Sequence, residues 1–286
     1  MSGGQPAMNF VRIELRLLEG VHIGAGRAGM VSRAHGFVPG HVVAYAIAAI
    51  LGRRLGGQPE DYETAIASVR AQCRGGPLFI QAEDQNDQPI SLLPRRDRAR
   101  IERDYFIGVN HTTLDGSVRR HVDGGLFEVE AIAPCRQRPD RQPTRLAGGL
   151  WLNSDGRVLG EDLKALLGAA PLVLGGERNA GLGRVVLEKW DENAGDYAGL
   201  GLVQPGEEGL RLAAGQILPG PALEGVMGVG WQPWFGRLHD QSRGAGRRFS
   251  APVLVRLDGQ VSQPTTFVLE CAESGFGCWK PLCPAS

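Results

Sequence analysis

The spacing of apolar residues changes from a two-residue period to a helical one near the start of the chain. In Phe10–Leu18 apolar and charged residues alternate, which is the pattern of a half-buried strand. The glycine-containing segment Glu19–Gly40 is predicted to be a loop. His41–Leu55 is alanine-rich, apolar on most sides and ends in two arginines before a glycine pair, as in a buried helix with cations at its C-terminal end. A strand, a loop and a helix therefore open the fold.

The later segments repeat these two patterns. Strands are predicted at Pro77–Ala82, Tyr105–Asn110, Leu126–Ala133, Leu146–Leu152 and Val185–Leu187, and short helices at Asp61–Gln72 and Glu161–Leu167. The order strand, helix, strand, strand, helix, strand is that of the α+β ferredoxin-like (RRM-like) βαββαβ arrangement. We therefore predict such a domain over residues 1–190, with an inserted arm at about 95–125.

The chain changes character beyond residue 190. Residues 191–208 are acidic and contain glycine without clear periodicity, so they are predicted to be a linker. Residues 209–286 are rich in glycine and proline, with short strands predicted at Leu210–Leu218, Pro252–Leu257 and Thr266–Cys271. This composition indicates a smaller β-rich or degenerate ferredoxin-like domain.

Composition and the N-terminal sequence bear on location. Apolar residues make up 42% of the chain, yet they form no run of the ~18–20 residues that a membrane span requires. The first ten residues, MSGGQPAMNF, have neither the basic nor the apolar region of a secretory signal. We therefore expect a cytoplasmic protein with no membrane partner.

Cysteine usage gives no sign of a cofactor. The chain has five cysteines, and an odd number in a chain without a secretory signal favours reduced thiols. Cys271, Cys278 and Cys283 are clustered near the end, but they are not the tight pairs of a zinc site. We expect neither a metal nor another cofactor.

Acidic and basic residues are equal in number, and most of the basic residues are arginine. A formal net charge of zero counts against a free-standing nucleic-acid-binding protein, whose domains are usually basic. Only three of the 31 basic residues are lysine. Arginine is suited to bidentate phosphate contacts and to stacking on bases, although a GC-rich genome would favour it equally.

A glycine-dense segment, Leu174–Val185 (LGGERNAGLGRV), separates two apolar strand-like runs. Glycine permits positive φ and close approach of the backbone to a ligand, and consecutive exposed amides form an anion-binding nest. A hairpin whose glycines only turn the chain is the alternative. The segment lacks the Gly-Lys-Ser/Thr ending of a nucleotide-binding P-loop. Its candidate ligand-contacting residues are Gly175, Gly176, Arg178, Asn179, Gly181, Gly183 and Arg184.

A second glycine-containing segment, Leu18–Ile50, contains the turn HIGAGR and then a Val-Pro-Gly step that leads into the apolar helix. The free N–H groups at the start of that helix would face the loop, where a phosphate would meet backbone donors and an arginine. The candidate ligand-contacting residues here are His22, Gly24, Gly26, Arg27, Arg33, Gly40 and His41.

Taken together, HIGAGR, FVPG with its helix, and LGGERNAGLGRV resemble the RAMP superfamily of CRISPR-associated proteins, over about Phe10–Trp190. The middle stretch GVNHTTLDGSVRRHVDGGLFEVEAI is similar to the variable arm of that family followed by its Gly-x-Leu-Phe/Tyr-x-x-Glu segment. The resemblance implies a ferredoxin-like RAMP domain that binds CRISPR guide RNA in an antiviral effector ribonucleoprotein. Its partners would be other RAMP subunits and large subunits, and it would meet target nucleic acid indirectly.

Family members fill three roles. Backbone subunits polymerise along the guide, and many in type III systems cleave target RNA with an aspartate before the Pro-Gly step. Gly24–Val38 contains no acidic residue, so that cleavage is not expected. Processing endoribonucleases use general acid–base groups without a metal, for which His22, His35 and His41 are the candidates. Non-catalytic subunits cap the guide at its 5′ tag, and their reduced second domain and protruding arm match this chain best.

Further residues are assigned to RNA contact in less detail. The polar arm His111–Gly125 is a candidate thumb that separates guide from target, unless it is an exposed hairpin without contacts. The candidate residues in and beside the arm are Asn110, His111, Arg119 and Arg120, and those in the C-terminal region are Arg247 and Arg248. Trp231, Trp234 and Phe235 belong either to the core of the second domain, which is the preferred prediction, or to an interface with a neighbouring subunit. A structural subunit that binds only protein remains a third alternative, consistent with zero net charge.

Overall fold

The computed structural model describes residues 8–114, 121–153, 155–203, 209–228, 230–235, 237–240, 244–272 and 275–282, of which 113–114, 121–125, 237–240 and 244–249 are described by their backbone alone. The elements up to Ile132 are β1 (Met8–Leu17), β2 (Gly24–Ala28), β3 (Val31–Ala34), β4 (Phe37–Val38), α1 (Gly40–Leu55), α2 (Pro59–Gln72), β5 (Cys73–Gly75), β6 (Leu78–Glu83), β7 (Pro89–Ser91), α3 (Arg98–Tyr105), β8 (Phe106–Leu114) and β9 (His121–Ile132).

The next elements are β10 (Arg145–Asn153), β11 (Arg157–Val158), β12 (Glu161–Asp162), α4 (Leu163–Ala169), β13 (Leu172–Val173), a 3₁₀ turn (Arg178–Ala180) and β14 (Arg184–Asp191). After Asp191 the described residues form β15 (Leu210–Leu212), β16 (Pro221–Ala222), β17 (Val226–Met227), β18 (Gln232–Trp234), β19 (Arg237–Asp240), β20 (Gly244–Phe249), β21 (Val253–Leu257), β22 (Gln260–Val261), β23 (Thr265–Leu269) and β24 (Trp279–Pro281).

The first strand and the first helix follow their apolar patterns. Along β1 the side chains of Ile13 and Leu15 are fully buried. The charged residues that alternate with them, Arg12, Glu14 and Arg16, are half-buried. In α1 Val43, Ile47 and Leu51 share one buried side, because residues three or four apart lie on the same side of a helix.

The central sheet has the strand order β13-β14-β1-β10-β6-β4, with β5 beside β10 and β7 beside β6. Its strand pairs are antiparallel. The chain passes from β1 through α1 and α2 to β6, and from β10 through α4 to β14. The protein is therefore a mixed α+β chain built on an antiparallel sheet.

The two faces of this sheet are covered differently. Ile13 and Ile47 belong to the core between the sheet and the helices. On the opposite face Phe10 and Trp151 pack with Trp279 from the C-terminal strands, and the ring centroids of Trp151 and Trp279 are 5.7 Å apart. Protein therefore fills that part of the sheet face.

A separate four-stranded sheet, β2-β3-β9-β8, forms an arm beside the central one. β9 pairs antiparallel with β8 and parallel with β3. The prediction that Glu19–Gly40 is a loop is wrong in part, because this segment contains β2, β3 and β4. β2 is glycine-rich and fully exposed, so it lacks the apolar alternation that would reveal a strand. The strands predicted at Tyr105–Asn110 and Leu126–Ala133 correspond to β8 and β9, whereas no local pattern predicts that β2 and β3 join them.

The C-terminal strands form a sheet of order β15-β23-β24-β16-β21-β18. Tyr197 lies in the segment 191–208 that was predicted to be a linker, yet it is fully buried. Its hydroxyl donates to the carbonyl oxygen of Pro77 at 2.6 Å, and its ring stacks on Trp151. Part of the predicted linker therefore belongs to the core. The sequence did not show this, because a single tyrosine in an acidic segment produces no detectable period. Among the described residues, no helix is both long enough and apolar enough to cross a membrane.

Candidate functional site

The two glycine-containing segments lie side by side at the end of β1. The amide of Gly176 donates to the carbonyl oxygen of His22 at 2.9 Å, and the amide of Gly183 donates to that of Gly20 at 2.8 Å. A Cβ atom on Gly175 would lie 2.2 Å from the carbonyl oxygen of His22, so this approach requires glycine. We call the surface formed by residues 22–27 and 175–184 the glycine edge.

The His22 ring is almost completely buried at the glycine edge. Its Nδ1 atom lies 2.6 Å from the carbonyl oxygen of Glu130 in β9. A carbonyl oxygen can only accept a hydrogen bond, so Nδ1 carries the hydrogen. Val21 and Ile132 also exchange two main-chain hydrogen bonds of 2.9 Å. These contacts attach the arm sheet to the glycine edge.

Glu130, the last residue of the Gly-x-Leu-Phe-x-x-Glu segment at 124–130, organises this junction. Its carboxylate accepts from the amide of Ala34 at 2.8 Å and pairs with Arg33 at 3.4 Å. The alternation of β9 could have indicated the residue, because Glu130 is a charged residue between apolar neighbours. Its two roles connect the β2–β3 hairpin and His22 to one strand.

The arginines of the glycine edge differ in their partners. Arg33 pairs with Glu102 and Glu130, and Arg184 pairs with Glu19 at 3.2 Å. By contrast, Arg27 and Arg178 have no carboxylate partner among the described residues. The Nε atom of Arg178 donates to the carbonyl oxygen of Gly175 at 3.0 Å. Desolvation, followed by the nearby charge of Arg53, lowers the pKa of Arg178.

The expected nest of bare amides is largely satisfied by the chain itself. Besides the amides of Gly176 and Gly183, the amide of Gly181 donates to the carbonyl oxygen of Arg178 at 3.2 Å. Asn179 is exposed at the tip of the loop. The groups of this loop that remain free to contact a bound ligand are therefore mainly side chains and carbonyl oxygens, and the glycine amides contribute less.

Gly40 and the start of α1 pack closely against other main-chain segments. A Cβ atom on Gly40 would lie 2.0 Å from the carbonyl oxygen of Gly75, and one on Gly277 would lie 2.7 Å from the amide nitrogen of His41. The structure thus packs protein against the helix N-terminus where the sequence predicted a phosphate. Close packing between these glycines is a tertiary contact that the Pro-Gly step does not reveal.

His35 and His41 form an aromatic cluster with Trp234. The ring centroid of Trp234 lies 5.3 Å from that of His35 and 6.0 Å from that of His41. Burial, and then the charge of His22, lowers the pKa of His35 to about 4. Burial, and then the charge of His35, lowers the pKa of His41 to about 4. Both rings are therefore neutral at pH 7.

The described candidate residues of the arm, Asn110 and His111, lie on β8. Asn110 is exposed on β8, and the His111 ring stacks on Phe127 at a centroid distance of 5.3 Å. Gly24, Gly26 and Arg27 lie on or beside the exposed strand β2. Arg119 and Arg120 lie outside the described residues, and Arg247 and Arg248 are described only as backbone positions in β20.

The arginine-rich stretch before β8 is used in ion pairs rather than as an open cationic surface. Asp104, whose side chain is 1% exposed, accepts from Arg103 and Arg138 at 2.8 Å. Burial would raise the pKa of Asp104, but hydrogen bonds from Arg103 and Arg138 lower it below its usual value. The charges of Arg103 and Arg138 are therefore balanced locally by Asp104.

Cysteines and other potential metal ligands are dispersed. Cys73 is buried, and burial raises its pKa to about 12, while Cys283 lies outside the described residues. Within the described ranges, no three histidine, cysteine, aspartate or glutamate side chains are grouped to hold a metal ion.

The chain has similarity to solved structures but matches no family model and no curated protein. A cryo-EM structure of the type III-B Cmr-beta complex bound to cognate target RNA contains a chain with a TM-score of 0.39 and 10% identity, covering 65% of this chain and 98% of that one. The complex with cognate target RNA and AMPPnP, state 1, contains a chain with a TM-score of 0.46 and 12% identity, covering 87% of this chain and 84% of that one. TM-scores below 0.5 at such identities do not establish a shared fold or function.

Proposed function

We propose that this protein binds single-stranded RNA as a non-catalytic subunit of a type III CRISPR effector ribonucleoprotein, with the guide RNA as its ligand. The observation that carries the proposal is the meeting of two distant segments, HIGAGR and LGGERNAGLGRV, through the hydrogen bonds of Gly176 and Gly183. These are the two segments on which the RAMP resemblance depends. Their contact makes them one surface.

The strand order supports a ferredoxin-like interpretation of the central sheet. The antiparallel order β14-β1-β10-β6 is what two interleaved split βαβ units produce. In this interpretation α1 and α4 are the two crossover helices. RNA would bind at the glycine edge, because the C-terminal strands cover part of the sheet face on which RRM proteins stack bases.

The charge distribution supports a small number of phosphate contacts. Arg27 is exposed on β2, and Arg178 is exposed on the loop after β13. Neither has a carboxylate partner within the described part of the chain, unlike Arg33 and Arg184. A guanidinium without an internal partner keeps its donors for phosphate oxygens. We infer that these two side chains hold the backbone of the RNA.

Catalysis is the weaker alternative. A histidine with a pKa near 4 is protonated in roughly one molecule in a thousand at pH 7, so His35 and His41 are poor general acids. Nδ1 of His22 is engaged with a carbonyl oxygen, which is a positioning contact. The three candidate histidines are therefore better suited to packing and binding than to cleavage of RNA.

We further propose that the guide is held at its 5′ tag, with the arm as the thumb. The β8–β9 hairpin is long, and its pairing extends from Phe106↔Ile132 to Leu114↔His121. It is fixed beside His22 by the Val21–Ile132 bridge. A polar hairpin next to the RNA-binding edge is suited to separate a guide base from its target.

A second candidate function is a structural subunit that contacts only protein. Trp231, Pro233 and Phe235 lie two residues apart along β18 and its flanks, and Leu254 pairs with Pro233. Trp231 is 46% exposed and Leu254 59% exposed, so an apolar stripe faces outwards. Exposed aromatic residues of this kind are enriched in subunit interfaces.

Ultraviolet crosslinking of the assembled complex to its RNA, followed by mass spectrometry of the crosslinked peptides, tests the proposal. We expect crosslinks in 22–27 and 175–184. The Arg27→Ala/Arg178→Ala variant should reduce them, whereas removal of two paired cations elsewhere, Lys164→Ala/Lys189→Ala, should not. Crosslinks confined to other subunits would favour the protein-binding alternative.

A further inference from the structure

One edge of the His22 ring borders a gap between two glycines. A Cβ atom on Gly24 would lie 3.5 Å from His22 Nε2, with no other described atom within 4 Å, and one on Gly176 would lie 3.4 Å from His22 Cδ2. Both glycines are exposed, although the histidine itself is only 5% exposed. The missing side chains of the two glycines therefore leave a space beside the Nε2 edge of the ring that is bordered by main chain.

The contact at Nδ1 determines the chemistry at Nε2. Because Nδ1 donates to the carbonyl oxygen of Glu130, the neutral ring has its lone pair on Nε2. No side chain or amide among the described residues donates to this atom. The ring is thus oriented so that Nε2 accepts a hydrogen bond from a ligand. The contact with Glu130 also prevents the ring from turning over without losing a hydrogen bond.

The ligand group must be a small donor. Phosphate oxygens of a nucleic acid only accept hydrogen bonds, whereas the ribose 2′-hydroxyl donates as well as accepts. Amino groups of bases also donate, but they are attached to planar rings that a gap between two main-chain segments does not admit easily. Arg178 donates to Gly175 beside the ring, and Arg27 lies on the same strand as Gly24. Guanidinium groups in these places are suited to the phosphates next to one ribose.

On the basis of the proposed RNA binding, we propose that His22 Nε2 accepts a hydrogen bond from a ribose 2′-hydroxyl, so that the glycine edge distinguishes RNA from DNA. Binding to phosphate would give affinity for either nucleic acid. The hydrogen bond to the 2′-hydroxyl gives the preference for RNA.

The test compares oligouridylate with oligodeoxyuridylate of the same length, which differ only in the 2′-hydroxyl. Binding to the purified full chain is measured by fluorescence anisotropy. In His22→Asn, the side-chain amide takes the place of Nδ1–H as donor to Glu130, and Nε2 is removed. We expect its affinity for oligouridylate to fall about three- to tenfold, the effect of one hydrogen bond. Its affinity for oligodeoxyuridylate should not change.

A second variant tests the opening without altering the histidine. In Gly24→Ala a methyl group would lie against Nε2, and the same selective loss is expected. Gly168→Ala is the matched control, because a Cβ atom there has no neighbour within 4 Å. Thermal unfolding of each variant shows whether it is folded, and Gly24→Ala decides the test if His22→Asn is not.

The outcomes separate the two proposals. Equal losses for RNA and DNA, or unchanged RNA affinity in both variants, would overturn the role of His22 and leave RNA binding in place. A wild-type affinity that is the same for the two oligonucleotides would also overturn it. Failure of the wild-type chain and of its complex to bind either oligonucleotide would refute the proposed function itself.

Discussion

Gly175 approaches His22 so closely that a β-carbon on the glycine would lie 2.2 Å from the histidine carbonyl oxygen. Gly175 also has a φ of +77°, a conformation that costs an L-residue roughly 1–2 kcal/mol. The contact joins two segments that are about 150 residues apart in the sequence, as the numbering shows. Among the glycines of the two motifs, Gly175 is the one whose β-carbon would lie nearest to the other motif.

Gly175→Ala should therefore destabilise the protein and separate the two segments. The backbone strain and the clash with His22 add, so we expect a loss of about 2 kcal/mol or more in the free energy of unfolding. Urea denaturation followed by fluorescence measures it. The control Gly168→Ala in α4 has space for its methyl group and should change stability little. Equal stability of the two variants would contradict the close approach.

Arg178 and Arg184 should contribute unequally to RNA binding. Arg184 is paired with Glu19, whereas Arg178 contacts only a carbonyl oxygen among the described groups. We expect Arg178→Ala to reduce the slope of log affinity against log salt by about 0.7, the value for one phosphate contact on a single strand. Arg184→Ala should change the slope less. Anisotropy titrations at several salt concentrations measure both, and identical slopes would rule out a specific role for Arg178.

Stability should decrease on mild acidification because of His35 and His41. Their pKa values are about 4 in the folded protein and about 6.5 in an unfolded chain. The unfolded state therefore binds more protons between these values, and stability falls as the pH is lowered from about 6.5 towards 4. The melting temperature measured across this window should depend less on pH in His35→Phe/His41→Phe. An unchanged pH dependence in that variant would contradict the burial of these rings.

Asp104→Asn should be more damaging than the loss of an exposed ion pair. The side chain of Asp104 is 1% exposed and pairs with Arg103 and Arg138. Removing its charge leaves these guanidinium groups without their partner, at a cost of about 1–3 kcal/mol. Glu161→Gln, which removes the exposed partner of Arg54, should cost less than about 1 kcal/mol. Chemical denaturation compares the two variants, and a smaller effect for Asp104→Asn would refute this ranking.

The local sequence determined the parts of the protein that local periodicity controls. The alternation in β1 and the apolar helix α1 were predicted from their own residues, and so was the α+β character of the chain. The glycine-dense loop before β14 was also predicted, because glycine marks positions where the backbone must turn or approach closely.

Only the tertiary structure decided what surrounds these elements. β3 depends on its pairing with β9, which is far away in the chain, and the carbonyl oxygen that orients His22 belongs to Glu130. Both half-buried rings, His35 and His41, pack with Trp234. Such contacts form between residues distant in sequence, so the spacing of neighbouring residues contains no record of them. For the same reason, the hydrogen bonds that the amides of Gly176 and Gly183 donate to distant carbonyl oxygens are visible only in the tertiary structure.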